Sequence, residues 1–171
     1  MPLFLVTGLP GTGKSTVCTE LKKRGYEAYD GDYDHLAKWY DADGQPIDES
    51  RERDRSMAFL QTHSRDIAYE VVKQLAAGAT SKAVFLCADP ENEDELVSLF
   101  EKVFALLVNE DERQKRLTTR TNNNWGKLPH EIEYDLGVKP VALERYRKYS
   151  YVILDASQPT HLVVDQILAQ I

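Results

Sequence analysis

Residues 8 to 15 read Gly8-Leu9-Pro10-Gly11-Thr12-Gly13-Lys14-Ser15 and satisfy the pattern G-x-x-x-x-G-K-[ST]. Glycines at these positions let the backbone curl until successive N–H groups point inward at a phosphate. A helix starting at the end of the motif adds its positive N-terminal pole. The expected nucleotide contacts are Gly8, Pro10, Gly11, Thr12, Gly13, Lys14, Ser15 and Thr16. In this chemistry Lys14 reaches the β- and γ-phosphates of a nucleoside triphosphate, and the Ser15 hydroxyl ligates Mg²⁺. The competing reading is a glycine-rich turn with a surface lysine. The placement of the motif, directly after the apolar run Leu3-Phe4-Leu5-Val6 and before an amphipathic stretch, argues against it.

A second group of chemistry-bearing residues is Tyr29-Asp30-Gly31-Asp32-Tyr33-Asp34-His35. Carboxylates at i and i+2 share one rim of a site when the chain is extended. Beside a triphosphate one can hold Mg²⁺ and the other can orient or deprotonate an acceptor hydroxyl. A turn built by Asp and Gly for local hydrogen bonding is the structural alternative. Arg113, Arg116 and Arg120 recur at helical spacing, and Arg116 and Arg120 share a face. They are either a solvated basic face or a clamp, with one guanidinium on the base and the other offsetting charge on the transferred phosphoryl group. The following Thr-Asn-Asn-Asn-Trp-Gly-Lys, residues 121–127, reads as an exposed loop or as a lid that excludes water. Arg145 and Arg147 are further cation candidates. Arg51, Arg53, Arg55 and Arg65 read mainly as solvent-facing, with an anionic acceptor as their functional option. The turn at 155–159, with Ser157 within it, lies where backbone groups would contact an adenine ring.

These groups converge only if the intervening elements bring them together. Strands are expected at Leu3–Thr7, 26–29, 83–87, 103–108 and 151–154. Helices are expected from Gly13 and at 51–77, 94–101, 111–120, 138–149 and 159–171. Residues 31–49 read as loop or broken helix, and 121–137 as a mobile loop. Short apolar strands alternating with helices imply an α/β fold, a five-stranded parallel sheet with helices on both faces. Ligands then bind beyond the carboxyl ends of the strands, which puts the phosphate loop and the residues after strands 26–29, 83–87 and 151–154 on one rim.

The 171 residues suit a single domain with a full core. A net charge of −7 argues against a nucleic-acid partner held by phosphate contacts. Cys18 and Cys87 are far apart, lack metal-ligand spacing and read as reduced core residues. No signal peptide fits the N-terminus, and no apolar run reaches the ~18 residues a bilayer span needs. The expectation is a cytoplasmic protein without a membrane partner, monomer or homodimer.

The assembled residues resemble the small P-loop kinases, the nucleoside monophosphate, shikimate and gluconate kinase group, along essentially the whole chain. The resemblance rests on GLPGTGKS, on Asp30-Gly31-Asp32 (similar to the D-G-D-x-x-H of gluconate kinases and the D-x-D of shikimate kinases), on Arg116-x-x-x-Arg120 and on the 155–159 turn. Where shikimate kinases carry a glycine triplet, this chain has Cys87-Ala88-Asp89-Pro90. The resemblance implies a single-domain P-loop NTPase fold with an acceptor region at about 30–65 and a lid at about 113–137. It implies ATP and Mg²⁺ as cofactors, Asp30 as a metal residue and Asp32 as the base. Lys14, Asp32, Arg116 and Arg120 form the expected catalytic set, and the partner is a small-molecule acceptor. The alternative function is a P-loop ATPase that acts as a switch or assembly factor through a partner.

Overall fold

The computed structural model describes residues 2–48, 55–78 and 83–171. Its elements in chain order are β1 (Leu3–Thr7), α1 (Lys14–Lys23), β2 (Glu27–Asp30), β3 (Ala37–Tyr40), α2 (Met57–Thr62), β4 (Ser64–Ile67) and α3 (Tyr69–Ala77). There follow β5 (Val84–Cys87), α4 (Glu93–Leu96), β6 (Lys102–Leu107), α5 (Glu110–Thr119), α6 (Pro129–Lys148), β7 (Val152–Asp155) and α7 (Thr160–Leu168). Five strands form one parallel sheet in the order β2-β5-β1-β6-β7, as the alternating pattern implies.

β1 is central and buried at every position, since both faces of a parallel sheet are covered. Phe4, Val6, Phe85 and Phe104 face one layer, where α1 and α7 bring Val17, Leu21, Val163 and Ile167. Leu3, Leu5, Leu86 and Ala105 face the other, against Val72, Leu96, Ala142 and Tyr146. Each large side chain so buried contributes about 1.5–3 kcal/mol. Cys18 and Cys87 are both free and buried, as expected. The chain runs from β1 to one side of the sheet and returns past β1 to β6. The reversal places a crevice at the carboxyl end of β1.

Three expectations are corrected. The helix expected over 51–77 is, within the described residues, two short helices separated by strand β4; residues 51–54 lie outside the described residues. Met57, Leu60, Val71 and Leu75 keep a helical period inside their separate helices, and Ile67 is as well buried from a strand as from a helix. What converts 64–67 to strand is a partner: β4 pairs antiparallel with β3, placing Trp39 opposite Arg65. Asn92 stitches the other edge, accepting from Ile67 N at 3.1 Å and donating to Ile67 O at 3.0 Å. Residues 31–49, expected as loop or broken helix, thus contribute β3. The loop expected over 121–137 ends at Pro129, where α6 begins. Proline occupies its first turn, and Glu131 Oε2 accepts from the backbone N–H groups of Gly126, Lys127 and Leu128 at 2.8, 3.2 and 3.3 Å.

Candidate active site

At the carboxyl edge of the sheet lies a cleft of about 1290 Å³, larger than the roughly 300–1,000 Å³ typical of a single small-ligand pocket. One end is the phosphate loop, and Leu9 through Val17 line it. Gly8 has φ +146, and a Cβ there would lie 2.7 Å from Leu106 O and from Thr12 Oγ1; the turn tolerates no side chain. Lys14 Nζ folds over the loop and donates to Gly8 O and Leu9 O. α1 has no side-chain cap and no acidic residue in its first turn. Its leading N–H groups are therefore available to an anion. Ser15 is half-buried and Thr16 exposed at that same turn, both lining the cleft. These residues suit a nucleotide phosphate chain with Mg²⁺.

The turn after β2 divides its carboxylates. Gly31 sits against the end of β5, where a Cβ would meet Ala88 Cβ at 2.7 Å. Asp30 is 5% exposed, and its Oδ1 accepts from Asp32 N at 3.0 Å and Tyr33 N at 3.1 Å. It holds the turn, and the residues that line the cleft do not include it. Asp34 is also absorbed, accepting from Asp30 N and pairing with Lys22 at 3.3 Å. Asp32 does line the cleft, with Arg65 Nη2 at 2.9 Å from its Oδ1. Arg65 in turn lies over the Trp39 ring, 5.7 Å from the centroid, so the β3–β4 pair supplies the residues beside Asp32.

The arginines separate as well. Arg113 is 2% exposed and donates to Asp135 Oδ2 at 3.1 Å, Pro10 O at 3.2 Å and Glu110 at 2.8 Å. It braces the loop from behind. Burial pushes Asp135 up to about 6, against the pull of Arg113 and of the Trp125 indole N–H. Arg116 spans the loop and the turn after β7, with Nη2 donating to Ala156 O at 3.1 Å and Nη1 lying 3.5 Å from Thr12 O. Arg120 caps the end of α5 and donates to Trp125 O at 2.7 Å; burial lowers its pKa. Both line the cleft. Arg55, Arg65 and Arg145 line it too, whereas Arg147 does not; Arg51 and Arg53 fall outside the described residues. In the turn after β7, Ser157 donates to Asp155 Oδ1 at 2.6 Å, and its neighbours Ala156 and Gln158 face the cleft in its place.

Two residues missed by sequence reasoning stand behind the loop. Asp89, just past β5, lines the cleft; burial raises its pKa, opposed first by the Lys14 charge. The signal is present in the sequence, since the residues after strand 83–87 belong to the expected rim. Glu93 is fully buried and accepts from Thr7 Oγ1 at 2.7 Å. Burial and then the Asp89 charge push it up to about 7, against the Thr7 hydrogen bond and Arg145.

Comparison with known proteins agrees with this architecture. Residues 5–134 match the sequence model of the family described as AAA domain. Among curated proteins none matches the chain. Among solved structures, a shikimate kinase from Acinetobacter baumannii superposes with a TM-score of 0.66 at 16% identity, over 99% of this chain and 92% of that one. A deoxyadenosine kinase from M. mycoides gives 0.57 at 16% identity, over 98% and 97%. A gluconokinase from Sinorhizobium meliloti 1021 gives 0.54 at 21% identity, over 98% and 90%. The fold is that of the small P-loop kinases. Among the described residues no helix is long and apolar enough to cross a membrane.

Proposed function

The chain belongs to the AAA domain family, and from that premise we propose that it is a phosphotransferase moving the γ-phosphoryl group of ATP to a hydroxyl or phosphate of a small molecule. The observation that carries this reading is one cleft that the phosphate loop and Asp32 both line. A switch ATPase needs the phosphate loop only. The kinase neighbours in structure support the same reading.

Lys14 and the loop amides hold the phosphates, and Arg116 closes the nucleotide side between Thr12 and Ala156. Mg²⁺, when bound with the nucleotide, neutralises phosphate charge; Ser15 and the cleft-lining Asp89 are its donors in this proposal. Asp32 accepts the proton of the acceptor hydroxyl, and Arg65 beside it holds the carboxylate in place until the acceptor arrives. Arg120, on the lid side, offsets charge as the phosphoryl group moves. Residues 113–137 act as the lid and 30–65 as the acceptor region, and the protein works in the cytoplasm as a monomer or homodimer.

The test is ADP release from Mg-ATP, alone and against nucleosides, nucleoside monophosphates, sugar acids and other hydroxylated metabolites, with Lys14→Ala as the blank. Stimulation by one compound class, absent in the blank, is expected. Slow Lys14-dependent release that no small molecule stimulates would overturn the kinase reading in favour of a switch ATPase.

A further inference from the structure

Tyr33 directly follows Asp32, and its side chain is 51% exposed, yet its hydroxyl is engaged far along the chain. Asn122 Nδ2 donates to Tyr33 Oη at 2.7 Å, and Tyr33 Oη lies 3.4 Å from Asn122 O. Asn122 comes two residues after Arg120, in the segment that leads to the cap of α6. Both residues line the cleft. Each end of this contact is rigidly sourced. Tyr33 N is held by Asp30 Oδ1 at 3.1 Å, and Gly31 is pressed against β5. On the other side Asn123 Oδ1 accepts from Trp125 N at 2.8 Å, and Trp125 Nε1 donates to the buried Asp135 at 3.1 Å. Arg120 Nη2 donates to Trp125 O. The tyrosine–asparagine contact is therefore a bridge between two pre-organised bodies, one carrying Asp32 and the other Arg120.

We propose that the Tyr33–Asn122 hydrogen bond is a latch that ties the acceptor turn to the lid and keeps water from the γ-phosphate while the acceptor site is being filled. This deepens the kinase reading and rests on it for the second half of the claim. In the side reaction that the latch limits, a water oxygen forms the new bond to the γ-phosphorus. The bond from that phosphorus to the β–γ bridging oxygen breaks, and ADP, inorganic phosphate and a proton leave. Tyr33 is a positioning residue: it acts by fixing the distance between the two walls.

The experiment compares wild type with Tyr33→Phe, Asn122→Ala and the double variant. Amide hydrogen exchange is followed in the ligand-free protein at 31–36 and at 121–125. The expected result is reciprocal: Tyr33→Phe speeds exchange at 121–125 about five-fold and Asn122→Ala speeds it at 31–36 by a similar factor, the size of one net hydrogen bond. The double variant should be no faster than either single one, since both remove the same contact. Exchange altered only in the segment that carries the substitution would overturn the latch. Phosphate release from Mg-ATP without acceptor supplies the second readout, with kcat rising about five-fold in Tyr33→Phe and the KM for Mg-ATP unchanged. An unchanged kcat, or a change confined to KM, would overturn the water-excluding role. The exchange measurement needs no catalysis, so failure of the kinase reading leaves it able to stand or fall alone.

Discussion

Replacing Arg113 by methionine removes the guanidinium that braces the phosphate loop and keeps most of the side-chain volume. The wild-type guanidinium reaches Asp135 Oδ2 at 3.1 Å, Pro10 O at 3.2 Å and Glu110 Oε1 at 2.8 Å, with 2% of the side chain exposed. Asp135 is equally buried, and in the variant it keeps only the Trp125 indole N–H as a donor among these contacts. Removing one partner of a buried ion pair costs about 3–5 kcal/mol, because the remaining charge stays desolvated. At about 2–4 °C per kcal/mol for a domain of this size, Tm should fall by about 6–20 °C at pH 8. The sign of the pH dependence follows from Asp135. Its folded pKa, about 6, already exceeds the ordinary 3.8, so its protonated form favours folding; that contribution is complete below 3.8 and is lost as pH rises through about 6. Without Arg113 the folded value moves higher still. The variant should accordingly lose less stability at pH 5, where Asp135 takes up a proton, than at pH 8. Urea unfolding followed by circular dichroism at both values measures this. The double variant Arg113→Met, Asp135→Leu should recover most of the loss. A single variant destabilised by less than about 1 kcal/mol, or equally at both pH values, would refute the reasoning.

Glu93→Gln keeps an acceptor for Thr7 and removes the titration. Since the folded carboxyl sits at about 7 against an ordinary 4.5, the native state holds the extra proton in that window and stability falls as pH rises through it. The variant should gain stability over wild type at pH 8, by up to about 3 kcal/mol, and gain none at pH 4; an equal effect at both values in urea titrations would contradict this. Gly8→Ala places a methyl 2.7 Å from Leu106 O at φ +146. It should abolish binding of a fluorescent ATP analogue while circular dichroism still reports an α/β fold, and retained affinity would show that the loop has another way to close.

The phosphate loop was legible because its geometry is local: consecutive residues supply the φ values, the lysine and the helix start. The central strands β1 and β5 were legible for a related reason, since strands buried on both faces read as continuous apolar runs such as Val84–Cys87. Glu131, three residues after the N-cap position of α6 with Pro129 between them, was a readable start signal that the polar composition of 121–137 obscured. Other features had no local signature. Whether 64–67 is helix or strand depends on β3 and Asn92, because Ile67 satisfies both periods. Asp30 and Asp32 are identical in type and adjacent to one glycine, and only the folded turn shows that one caps backbone N–H groups while the other faces the cleft beside Arg65. Arg113, Arg116 and Arg120 look equivalent along α5, but one meets Asp135 in the interior, one bridges to the turn after β7 and one caps the helix end. A backbone pattern set by neighbours in sequence can be read from the chain alone. The partner of a charged side chain is set by which distant element packs against it, and that is decided only when the tertiary structure forms.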